Sequence, residues 1–304
     1  GYSTHAGLFD ENTAALSNLG VAANITSTTA GGGIIAYQQN ADARNVWSSG
    51  VINTTNMAGG LFGRQTNWTS GTHDLYDSHS TATVEGSGPS GGLIGQGWNI
   101  HNSWFSGTIT GTGSSVGGIV GSASGASAMP ATVSDSYSVG SISGASAVGG
   151  LVGAGGMYLN IADSYSTAAV SSSAGYAGGI VGTFTASSNA NYGLTGVYST
   201  GNVTGPEAGG LVGNAQDITI SDSYATGTVT GTNSNGSTAG GLIANASAPD
   251  VITNSYSTST VSAAGPDAGN AGGLVGVTDD DELTISNAYS YGSQQGYAPG
   301  GVVS

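Results

Sequence analysis

Residues 209–231 read GGLVGNAQDITISDSYATGTVTG, and the order of residue types recurs along the chain. Paired glycines followed by two aliphatic residues stand at Gly32-Gly33, Gly59-Gly60, Gly91-Gly92, Gly117-Gly118, Gly149-Gly150, Gly178-Gly179, Gly209-Gly210, Gly240-Gly241, Gly272-Gly273 and Gly300-Gly301. The steps between second glycines are 27, 32, 26, 32, 29, 31, 31, 32 and 28 residues. A period near 30 with small insertions describes stacked units whose loops vary in length.

Each unit carries two further landmarks. An aromatic row runs through Trp47, His79, Trp104, Tyr137, Tyr165, Tyr198, Tyr224, Tyr256 and Tyr289, with His79 as the non-benzenoid member. Five residues on comes an aliphatic row, Ile52, Val84, Ile109, Ile142, Val170, Val203, Val229 and Val261. Each unit thus reads as three short strand-like runs between Gly, Asn, Asp or Ser turns, without the length or period of a helix. Such a unit cannot form a core alone, but wound coils stacked about 4.7–4.9 Å apart enclose a narrow apolar interior. The prediction is an all-β, right-handed parallel β-solenoid of nine to ten coils, roughly 30 residues per coil and about 45 Å long. The paired glycines are expected at Cβ-free corners where positive φ is accessible.

Composition supports an ordered repeat. Of 304 residues, 56 are Gly, yet Val, Ile, Leu and Tyr recur at fixed offsets that a disordered tract would not need. There are 17 acidic residues against two Arg, Arg44 and Arg64, with no Lys and no Cys. That balance excludes a phosphate-binding nucleic-acid surface and disfavours anionic lipid. The lack of Cys rules out disulfides and thiolate metal sites, and no apolar run reaches membrane-spanning length. Six Asn-x-Ser/Thr sequons, at Asn24, Asn53, Asn67, Asn202, Asn235 and Asn245, are compatible with secretion but arise readily in so Asn-, Ser- and Thr-rich a chain.

The GGL[VI]G steps followed by DSYSTGxVxG resemble the GLUG repeat of large bacterial secreted and cell-surface proteins, over roughly residues 32–304. Ala36 and Ala244 depart from the closing glycine and His79 from the aromatic. The resemblance implies an extracellular or cell-surface location and a non-catalytic structural or adhesive module. The expected partners are a surface glycan, another cell-surface protein or further copies of the chain itself.

Residues 1–31 lack the repeat and are expected to cap the solenoid, with a short helix in 10–20, where Asp10 and Glu11 precede an apolar segment closed by Gly20. The sequence stops inside a fresh repeat at Gly300-Gly301, which suggests a fragment of a longer chain or head-to-tail stacking into a fibre.

No catalytic or cofactor-binding constellation is expected. Polysaccharide lyases on solenoids generally use Lys or Arg, which are almost missing here. Asp77, Asp135, Asp163 and Asp222 share one repeat position with Asn102, Asn254 and Asn287, which reads as a turn-capping ladder and not as paired hydrolytic carboxylates. His73, Asp74, Asp77 and His79, beside Ser78 and Ser80, have the residue types of a metal or hydrolytic cluster, but without a nucleophile elbow or an H-E-x-x-H pattern a surface loop is the preferred reading. Asp279 to Glu282 could hold Ca²⁺, against the plainer reading of a solvated acidic loop.

Two surface arrays remain. Residues flanking the aliphatic row should point outward: Thr83, Thr108, Thr110, Ser141, Ser143, Thr204, Thr228, Thr230, Thr260 and Ser262 would then form hydroxyl columns, a lattice of the kind that binds ice. Glu85, Ala169 and Asn202 break its regularity. For the aromatic row, strand alternation from Ile218 and Ile220 carries Tyr224 inward, the preferred reading. A corner at Ser221-Asp222 would instead bury Ser223 and Ala225 and turn the ring outward, where the row could meet a glycan.

Overall fold

The computed structural model describes residues 5–65, 73–187, 192–247, 249–265, 269–279 and 283–302. Its named strands all pair in parallel, building a β-solenoid of about nine turns with about 31 residues per turn. Among the described residues there is no helix, hence none long and apolar enough to cross a membrane.

Each coil visits three sheets. The glycine sheet holds the residues leading into each pair, as in Glu207–Gly209. The aliphatic sheet follows, as in Val212–Gln216. The aromatic sheet holds up to three short runs, here Thr219–Ser221, Tyr224–Ala225 and Thr228–Gly231. Register holds from coil to coil: Gly209 pairs with Gly178 and Gly240, and Val229 with Val203 and Val261. The core is a column of Ile, Leu and Val, and the whole aliphatic row from Ile52 to Val261 is buried in it.

The paired glycines line up as expected, but for a different reason. None of the described pairs has a positive φ. A Cβ on Gly149 would lie 1.9 Å from the Val152 carbonyl oxygen, and one on Gly150 would lie 1.9 Å from that of Gly179. The pairs are glycine because backbone passes against backbone both within a coil and between coils.

Left-handed geometry is confined elsewhere. Asn18, Asn45, Asp77, Asn102, Asp135, Asp163, Asp222, Asn254 and Asn287 all have φ between 45° and 54°, and Gly196 takes the same place at 65°. Asp and Asn are the side chains best tolerated there.

The helix expected in 10–20 is not formed. The segment is strand, β1 (Phe9–Asn12) in the aliphatic sheet and β2 (Leu16–Ser27) in the aromatic sheet. β2 pairs in parallel along its length with Ala43–Thr54. An open edge of twelve residues offers more backbone hydrogen bonds than a lone helical turn, and tertiary pairing overrides the local signal. Residues 5–31 therefore contribute a first coil, although they lack the repeat's sequence.

Candidate functional site: the outer face of the aromatic sheet

The left-handed corner decides where every aromatic ring points. At Asp222 the chain turns, so the alternation set by Ile218 and Ile220 does not continue through it. Ser223 and Ala225 are each 1% exposed, while Tyr224 between them stands at the surface. The inward placement of the row is thereby corrected: its members are half-buried or exposed rings on the outside of the solenoid.

The rings form one continuous stack. From Trp47 to His79, Trp104 and Tyr137 the centroid distances are 6.5, 4.3 and 6.0 Å. From Tyr137 through Tyr165, Tyr198, Tyr224 and Tyr256 to Tyr289 they are 5.0, 4.8, 5.0, 5.0 and 5.0 Å, with planes within 5° of parallel. Both faces of each interior ring are thus covered by neighbours, leaving edges and hydroxyls to solvent. Burial in the stack, with a neighbouring phenol, raises the Tyr137, Tyr198 and Tyr256 pKa values, so these hydroxyls keep their protons at neutral pH. Desolvation lowers the His79 pKa and favours the neutral ring between the two indoles.

Beneath the stack runs a serine ladder that sequence reading did not single out. Ser136 Oγ accepts from the Ser103 N–H at 3.1 Å and donates to the Ser134 carbonyl at 2.7 Å. The same pair of bonds recurs at Ser78, Ser103, Ser164, Ser223 and Ser255. A second row faces the glycine pairs; Ser138 Oγ, for example, bonds Gly150 O at 2.5 Å and Ser166 Oγ at 2.9 Å. The recurrent Asp/Asn-Ser-Tyr-Ser signal was legible, and alternation about the corner would have found both rows.

Beside the stack stands the Asp/Asn column. It is held by contacts between side chains, and not by the side-chain bonds to neighbouring backbone N–H groups expected from its repetition. Asn45 donates to Asn18 at 2.7 Å, Asn102 to Asp77 at 2.7 Å, Asn254 to Asp222 at 3.2 Å and Asn287 to Asn254 at 2.6 Å. Arg44 adds a 2.8 Å ion pair to Asp77 and lies 4.3 Å from the Tyr76 ring centroid. Asp135 and Asp163 are exposed on consecutive coils, and neither side chain has a hydrogen bond or ion pair among the described residues.

The residues of 71–80 diverge. Asp74 accepts from the Tyr76 hydroxyl at 2.5 Å and from Asn99 at 2.8 Å, and the first bond pushes the Tyr76 pKa up to about 12. Asp77 occupies the corner, His79 the ring stack, and Ser78 and Ser80 are buried. Among the described residues no group of three or more His, Cys, Asp or Glu is placed to hold a metal. Asn67, Gly71, Thr72, Asp280, Asp281 and Glu282 lie outside the described residues, so the segment considered for Ca²⁺ is described only at Asp279.

The hydroxyl columns do face outward, in register: Thr83 with Thr108, Thr108 with Ser141, Thr228 with Thr260, and Thr204 with Thr230 and Ser262. Their regularity is broken. Ser143 Oγ donates to the Ile109 carbonyl, Asn53 bonds Glu85, and Asn202 Oδ1 takes the Thr228 N–H.

No curated protein matches the chain. Among solved structures, a Bacteroides ovatus protein provisionally described as an immunoglobulin A1 protease is similar at 18% identity, over 88% of this chain and 77% of that one, with a TM-score of 0.42. Residues 205–230, the coil that carries Tyr224, match the GLUG motif.

Proposed function

We propose that the chain is a non-catalytic, extracellular module of a microbial surface protein, a stiff spacer whose aromatic face adheres to surface glycan. The observation that carries this reading is the ladder of nine outward rings, unbroken from Trp47 to Tyr289. It offers an extended strip where an enzyme would converge its groups on one place. Chemistry-bearing residues repeat from coil to coil: phenols with phenols, amides with carboxylates, hydroxyls with hydroxyls. Recognition by such a strip is additive along its length and suits a polymer better than a small molecule. The missing Lys and scarce Arg leave few tryptic sites, which suits a location outside the cell.

The test is retention of the purified protein on insoluble polysaccharides, with release of soluble sugar measured in parallel. Retention that falls on Tyr165→Ala and Tyr198→Ala substitution at unchanged fold, without sugar release, is expected. Turnover of the polysaccharide, or retention indifferent to both substitutions, overturns the reading.

A further inference from the structure

The ladder's geometry and the charges beside it narrow the class of glycan, on the premise that the ladder face binds glycan at all. A sugar cannot lie flat on Tyr165, because Tyr137 and Tyr198 cover its two faces at 5.0 and 4.8 Å. A ligand must instead run lengthwise over ring edges, meeting one phenol per coil. That repeat is close to the advance of one pyranose in an extended β-linked chain, so successive sugars would meet equivalent groups.

Charge then discriminates among such chains. Asp77 is neutralised by Arg44 and bonded by Asn102, and Asp222 is bonded by Asn254. Among the described residues Asp135 and Asp163 carry no such partner. Above Asp163 the column is interrupted, because the next coil has Gly196 where others carry Asp or Asn. A Cβ on Gly196 would lie 2.8 Å from Asp163 Oδ1, so this carboxylate borders a notch one side chain deep. Asp222 follows on the far side in the next coil, with Tyr198 alongside. The chain has no Lys, and its two Arg lie at 44 and 64; His101, 2.9 Å from Ser134 Oγ, adjoins the column at Asp135, while around Gly196 the strip faces neither Lys nor Arg.

We propose that the strip of Tyr137, Tyr165, Tyr198 and the adjoining Asp column binds an extended β-linked glycan bearing free amino groups, with one ammonium in the notch at Gly196 beside Asp163. Polyuronates are repelled by the same field. The closest structural control is already in the protein: Asn102 donating to Asp77 shows how an amide in the column occupies the carboxylate below it.

The experiment measures binding of four soluble probes to the full chain near pH about 5.5, where amines are protonated and exposed carboxylates are not. The probes are a β-1,4-glucosamine oligomer, its N-acetylated counterpart, a cello-oligosaccharide and an oligouronate. The glucosamine oligomer should bind about tenfold more tightly than its acetylated counterpart, and the gap should close in 1 M salt, where screening is nearly complete. Gly196→Asn and Asp163→Asn should each abolish the preference without lowering thermal stability, whereas Glu11→Gln, remote on the first coil, should leave it intact. Equal binding of neutral and amino oligomers, lost on Tyr165→Ala, overturns the amino-sugar assignment and keeps the glycan reading. A preference that survives both notch substitutions also overturns it. No binding of any oligomer overturns both.

Discussion

Tyr165 and Tyr198 stack with centroids 4.8 Å apart and planes within 2°, although 33 residues separate them. Contacts of this kind are surface cross-strand pairs and not core packing. Tyr198→Ala removes two of them, so it should cost roughly 1–2 kcal/mol, well under the roughly 3–5 kcal/mol of a core aromatic. Chemical denaturation of the variant beside a core control, Phe184→Ala, checks this, and equal losses would place the ladder in the core after all.

The glycine pairs give a sharper contrast. Gly149→Ala directs a Cβ into the Val152 carbonyl 1.9 Å away, a backbone atom that cannot yield without moving the coil. The expected loss is several kcal/mol, in the range of severe steric mutations. Gly196→Asn acts oppositely. Asn accepts the left-handed corner, and restricting the unfolded chain adds a few tenths to about 1 kcal/mol. Melting temperatures of the two variants should move in opposite directions.

Ser136→Ala deprives the buried Ser103 N–H of its acceptor. An unsatisfied donor costs about 1–3 kcal/mol. Amide hydrogen exchange should locate the loss at Ser103, while exchange in coils several turns away stays unchanged.

Asp250 is fully buried: one oxygen takes the Ile218 N–H at 2.9 Å, and among the described residues the other meets no donor in good geometry, although the nearby Ser247 backbone eases its charge. Burial, helped by the charge of Asp217, raises its pKa to about 7. Unfolded aspartate titrates near 3.9, so between about pH 4 and 7 the folded protein holds a proton that the unfolded chain has released. Stability therefore falls as pH rises through that window and levels off above it. Asp250→Asn should flatten the slope and gain up to a few kcal/mol at pH 8, read from urea midpoints across pH. An unchanged slope would show that the carboxyl ionises without penalty.

The solenoid was readable because its constraints are periodic. Ile142, Val170 and Val203 repeat at coil spacing and face one column, and the glycine pairs mark one close passage per coil. What failed was phase. Counting outward from Ile220 gives Tyr224 the wrong side, because Asp222 spends one residue turning the chain at φ 52°. Asp followed by Ser is common in turns and strands alike, so the sequence marks a corner there without giving its hand. Residues 10–20 misled for another reason. Acidic residues ahead of an apolar stretch signal a helix start locally, whereas the partner that decides the outcome, Ala43–Thr54, lies in another coil.

Register from glycine to glycine also means that the coil count is not fixed by the architecture. Excising residues 179–209 would splice Gly178 to Gly210, regenerate a Gly-Gly-Leu-Val step, and bring together strands that already match in phase. Recombination between repeats can therefore lengthen or shorten this rod in whole increments, adjusting its reach without inventing a new interface.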